Sequence, residues 1–142
     1  MKSKFTPVVS VKKQALDRLE SKVAMARANI ARKKAELQEA QNAANAYQMP
    51  TQGSMSELRE SLEILRIMND GLKTIKAELN IAERELTHFT HQHKNASLEF
   101  EKMKFLEQED IKAVLKKKKR DEELALDEFA TMKFAQGLKQ NG

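Results

Sequence analysis

Met49-Pro50-Thr51-Gln52-Gly53-Ser54-Met55-Ser56-Glu57 is the stretch of this 142-residue chain where helix-forming sequence is decisively interrupted. Proline disfavours helical geometry at Met49, and glycine at position 53 permits a backbone turn that other residues resist. Ser54 to Glu57 then has the spacing of a capping box, in which a serine hydroxyl and a carboxylate three residues on satisfy orphan backbone donors at a new helix start. The stretch predicts a turn at about 48–54 between two helices.

Outward from this turn the breakers are few. Pro7 fits a first helical turn, where its missing N–H costs nothing. Towards the C-terminus only Gly71 intervenes before Gly137, at about 1 kcal/mol relative to alanine. The second helix is therefore expected to be roughly twice as long as the first.

Both segments carry a coiled-coil stripe, with apolar residues alternately three and four apart. In the first, the seam is Phe5, Val9, Lys12, Leu16, Leu19, Val23, Ala26, Ile30, Lys33, Leu37, Ala40, Ala44 and Tyr47, eleven of thirteen apolar. In the second it runs from Leu58 through Ser61, Leu65, Met68, Leu72, Ile75, Leu79, Ala82, Leu86, Phe89, His93, Ala96 and Phe100 to Met103, twelve of fourteen apolar. Beyond Met103 the same phase gives only four apolar residues in ten.

The two seams span 42 and 45 residues, so an antiparallel hairpin would pair them end to end. Setting Tyr47 opposite Leu58 generates the layers Leu37/Met68, Ile30/Ile75, Val23/Ala82 and Phe5/Phe100, several of them small against large as interdigitation prefers. That register also sets the polar exceptions Lys12 and His93 opposite each other. The fold class expected is all-α: a two-helix antiparallel coiled-coil hairpin over residues 1–103, about 60 to 65 Å long. Residues 104–142 form an unpaired C-terminal arm that retains Phe105, Leu106, Ile111, Val114, Leu115, Leu124, Leu126, Phe129, Met132 and Phe134. A solitary helix buries too little to offset its ordering entropy, so the arm is expected to fray until something packs on it.

Composition agrees with a helical, non-catalytic chain. Charged residues make up 33%, with four Gly, two Pro, no Cys and no Trp, and mean hydropathy is −0.67. Missing cysteine removes disulfides, thiolate metal sites and thiol nucleophiles. No window approaches the roughly 20 apolar residues of a membrane span, and the N-terminus lacks a signal-peptide core, so a cytoplasmic protein is expected. The net charge of +5 is unevenly placed: residues 1–35 hold ten basic against two acidic groups, 36–99 six against ten, and 100–142 ten against nine. The first helix is thus suited to an anionic surface or to being a solvated coiled-coil exterior.

Three local patterns invite a functional reading. His88, His91 and His93 hold a metal poorly, because only the first two share a helical face and no cysteine assists. Lys116-Lys117-Lys118-Lys119-Arg120 could bind phosphate or anionic lipid, but Asp121-Glu122-Glu123 follows and allows pairs such as Lys117–Asp121 and Lys118–Glu122, so a solvated, partly self-paired face is expected. Ile64, Ile67 and Ile81 lie off the seam, where they add nothing to the hairpin core and suit a docking patch. No glycine phosphate loop, catalytic carboxylate pair or nucleophile triad is present, so no cofactor and no enzymatic activity are expected.

Three features resemble the FliJ family of the bacterial flagellar type III export apparatus. They are the opening Phe5-Thr6-Pro7-Val8-Val9-Ser10-Val11-Lys12-Lys13-Gln14, the placement of Tyr47 before a glycine-containing turn, and Leu126-Asp127-Glu128-Phe129-Ala130. The resemblance implies a non-catalytic stalk similar to the central subunit of rotary ATPases. Its terminal end would enter the pore of a hexameric export ATPase and promote ring assembly, with Leu126, Phe129 and Met132 as contacts. Nearer the turn, Tyr47, Ile64, Ile67, Met68, Leu72 and Ile75 would engage the cytoplasmic linker of the membrane export gate, although the family's aromatic and histidine are missing there. Export chaperones are a further implied partner, and the implied location is the cytoplasmic face of the inner membrane. Two readings of other classes remain: a nucleic-acid-binding coiled coil using residues 1–35, and a peripheral membrane adaptor using Lys116–Arg120.

Overall fold

The computed structural model describes residues 2–141, with side chains to Leu138; Met1 and Gly142, the outer ends of the two expected segments, lie outside the described residues. The chain is an all-α two-helix hairpin: α1 spans Thr6–Ala46 and α2 spans Met55–Asn141. Residues 47–54 connect them. Helix α2 opens with the serine half of the expected capping box, the Glu57 N–H donating to the Ser54 hydroxyl at 3.2 Å, while the Glu57 carboxylate does not accept from the Ser54 N–H. Gly53 takes φ = +151°, a conformation costly for any residue with a Cβ.

The chain divides into two compact units, one of residues 15–96 and one of residues 1–14 with 97–142. In the first, Lys33 donates to Glu78 at 2.7 Å, His93 Nε2 lies 3.5 Å from Glu20, and the Lys22 ammonium sits 5.7 Å from the Phe89 ring centre. In the second, Lys12 lies 4.0 Å from Glu99, Lys13 stands over the Phe100 ring, and the Ser3 hydroxyl donates to Asp110 at 2.5 Å. Each set fixes an antiparallel pairing.

The pairing uses the expected seams but not the expected register. Lys12 does not face His93. The register expected from the turn would set Lys33 opposite Leu72 and Glu20 opposite Glu85; the observed partners are Glu78 and His93, six and eight residues further along α2. The mean displacement is one heptad, which carries every seam residue onto another seam position, so hydrophobic pattern cannot distinguish the two arrangements. The polar exceptions can. Each of Lys12, Lys33 and His93 meets a carboxylate from the opposite helix, at a position adjacent to the seam.

All thirteen seam residues from Phe5 to Tyr47 are buried or half-buried, as are all in the α2 stripe except Leu58. Half-burial also continues past Met103 through Leu106, Glu107, Asp110 and Ile111. The shifted register explains this, because it brings the first residues of the chain, Ser3 included, alongside that part of α2. Full burial is rare: Leu16 and Ala82, at 6% and 1% exposure, are among the few core side chains. A residue in a two-helix seam has only one neighbouring helix to cover it, and small side chains achieve this best.

Candidate partner-binding surfaces

The C-terminal part of α2 presents apolar side chains without a neighbour. Every described residue from Lys112 to Gln136 is exposed, and Leu126, Phe129 and Met132 are 67%, 57% and 63% accessible. Spacings of three place these three along one side of the helix. The Lys133 ammonium lies 5.2 Å from the Phe129 ring centre, so its stem flanks this stripe. Leu124, Phe134 and Leu138 are exposed as well, on the opposite side by helical spacing.

The same segment departs from the sequence expectation in its charges. Among the described residues, neither Lys117–Asp121 nor Lys118–Glu122 forms an ion pair, and the basic run and the acidic run after it make no bond to each other. Both are open to solvent.

Near the connection the residues proposed for gate binding fall into two sets. Ile64 and Ile67 are exposed at 41% and 59%, whereas Tyr47, Met68, Leu72 and Ile75 are half-buried seam residues. Gly71 lies one turn beyond Ile67 on the exposed side, and a Cβ built there meets nothing within 4 Å. Beside this face, Arg66 donates to Glu63 and reaches Asp70 at 3.2 Å. The Arg66 guanidinium holds the Glu63 carboxyl below the usual glutamate range, and Glu63 holds Arg66 above the ordinary arginine value. This ladder orders the polar border of the Ile64–Ile67 face.

The histidines differ in their surroundings. His93 is a half-buried seam residue beside Glu20, while His88 packs against Phe89 with ring centres 5.7 Å apart. No group of three or more ligating side chains comes together among the described residues. Sequence reasoning passed over Leu98, exposed at 61%, and named Phe105, exposed at 60%, only as an apolar residue of the arm. They stand one heptad apart off the seam, the same signal that marked Ile67 and Ile81.

Part of the basic charge of α1 is engaged within the fold, on Glu99, Glu78 and the Phe89 and Phe100 rings. No helix among the described residues is long and apolar enough to cross a membrane. The chain matches the family model described as "Flagellar FliJ protein" over residues 1–139. No curated protein and no solved structure gives a match.

Proposed function

The chain belongs to the FliJ family of flagellar export-associated proteins, and from that premise we propose that it is a non-catalytic stalk and adaptor of the export apparatus. In this reading the C-terminal part of α2 enters a hexameric export ATPase and favours ring assembly. The face near the connection engages the cytoplasmic linker of the export gate, at the inner membrane, and export chaperones are further partners. The observation that carries the proposal is the exposure of Leu126, Phe129 and Met132 on a segment whose described residues all face solvent from 112 to 136. Apolar side chains on a helix with no intramolecular neighbour are suited to a partner that supplies the missing surface.

The gate reading rests on Ile64 and Ile67, whose side chains are accessible without any rearrangement. Tyr47, Met68, Leu72 and Ile75 would act through the seam edge, each offering only part of its surface. A nucleic-acid reading is weakened because Lys12, Lys22 and Lys33 already have acidic or aromatic partners on α2.

The test is hexamer formation by the purified export ATPase with and without the full chain. The chain promotes hexamers, and Phe129→Ala combined with Leu126→Ala removes the effect while leaving helicity unchanged. Equal promotion by the variant refutes the ring-binding role of the arm.

A further inference from the structure

The exposed segment of α2 is complementary to itself. Residues 112–120 hold six basic side chains and no acidic one, and residues 121–129 hold five acidic side chains and no basic one. Neither block is neutralised by the other within its own helix, so both retain their charge for a neighbour.

The seam pattern is centred within one residue of the point where the charge blocks meet. Half-buried Ile111 and the exposed Leu115, Lys118, Glu122, Ala125 and Phe129 are spaced alternately four and three apart, a coiled-coil seam distinct in phase from the one that pairs α1 with α2. An antiparallel two-fold axis at Arg120 sets Lys118 of one copy against Glu122 of the other, Leu115 against Ala125, and Ile111 against Phe129. Every layer then joins opposite charges, a large with a small residue, or two large apolar residues. A parallel in-register pair would instead stack Lys118 on Lys118 and the two basic blocks on each other.

We propose that residues 111–129 form an antiparallel homodimer with the same segment of a second copy of this chain. The contact is isologous: each chain gives its basic block to the other's acidic block, and each Lys118–Glu122 pair occurs twice. The proposal is independent of the stalk reading, since the complementarity lies in this chain alone. If both hold, self-pairing covers Phe129 and competes with the ATPase for it.

The test is the oligomeric state of the full chain, measured by sedimentation equilibrium over a range of protein and salt concentrations. The chain dimerises, and added salt weakens the dimer because opposite charges face across it. Lys118→Glu and Glu122→Lys each weaken self-association by at least about tenfold, since each sets two like-charged contacts in the seam. Mixing the two variants restores a heterodimer, in which both contacts are again of opposite sign. Pairing within one helix cannot produce that recovery.

Orientation is read by cysteine cross-linking, which the cysteine-free sequence permits without background. Leu115→Cys chains cross-link to Ala125→Cys chains and not to themselves, because an antiparallel pair separates the two copies of position 115 by about 15 Å along the axis. A chain that stays monomeric throughout, a mixture that fails to recover, or cross-linking of Leu115→Cys to itself overturns the proposal.

Discussion

Lys33 reaches from α1 to place its ammonium 2.7 Å from the Glu78 carboxylate of α2, with Glu36 of its own helix 3.3 Å away. An apolar residue at this seam position would gain more from packing, so the lysine's role is positional. It fits one alignment of the helices, where Glu78 flanks the seam opposite it, and is mismatched a heptad away, where Gly71 takes that flanking place. Polar residues at single seam positions set register at a cost in stability.

Lys33→Leu is therefore expected to raise the melting temperature while loosening the register. Cysteines provide the second readout. In the native sequence Ala26→Cys cross-links to Leu86→Cys, its counterpart in the observed pairing, and not to Leu79→Cys, its counterpart one heptad away. Adding Lys33→Leu produces a measurable fraction of the second species. A unique 26–86 product with Lys33→Leu would show that the remaining contacts fix the register unaided.

What the sequence could convey divides along the same line. Seam membership from Phe5 to Tyr47 was legible because burial repeats with the heptad, and each of those side chains is covered in the structure. Register was not legible from that repeat, because displacement by seven residues leaves it unchanged. The information lay in Glu20, Glu78 and Glu99, which sit one residue off the seam and gain meaning only when matched with His93, Lys33 and Lys12. Of the surfaces, the exposure of Ile64 and Ile67 followed from their place off the seam. The absence of bonds between Lys116–Arg120 and Asp121–Glu123 did not follow from spacing, which permits such pairs without requiring them.

The ion pairs also set the sign of two pH effects. Hydrogen bonds from Lys33 to Glu78 and then Glu36 raise the lysine's pKa above its ordinary value. Its contribution is fully present below the ordinary lysine pKa and is lost as pH rises through the raised one. The Glu63 carboxyl is held low, chiefly by its hydrogen bond from Arg66. Its contribution is present above the ordinary glutamate pKa and disappears as pH falls through the depressed value. In urea titrations Glu63→Gln should converge with the native sequence at the acid end, whereas Lys33→Met, already favoured by packing, should gain further on the native sequence at the alkaline end. Both effects are small, because the Glu63 pair is exposed and the Lys33 pair lies at the solvent edge of the seam.

Gly71→Ala separates stability from docking. The position is helical and has open space for a methyl group, so alanine should stabilise the free chain by about 0.5 to 1 kcal/mol. If the gate linker packs on the Ile64–Ile67 face, the added methyl fills the dent beside those residues and weakens linker binding. Chemical denaturation measures the first effect and calorimetric titration with the linker the second. Stabilisation with undiminished binding would move the gate contact away from this face.

A final pair of substitutions distinguishes the hairpin core from the exposed arm. Leu16 is 6% exposed and Leu126 is 67% exposed, although both are leucines within long helices. Leu16→Ala removes buried methyl groups and leaves a gap that one opposing helix fills only in part, at a cost of about 2 to 3 kcal/mol. Leu126→Ala loses almost no buried surface, and its unfolding free energy should stay within about 0.5 kcal/mol of the native value. ATPase binding should show the reverse order, with Leu126→Ala impaired and Leu16→Ala near normal at temperatures where it remains folded. A Leu126→Ala chain that unfolds early would mean that the arm is packed within the molecule, and the case for its availability to the ring would be lost.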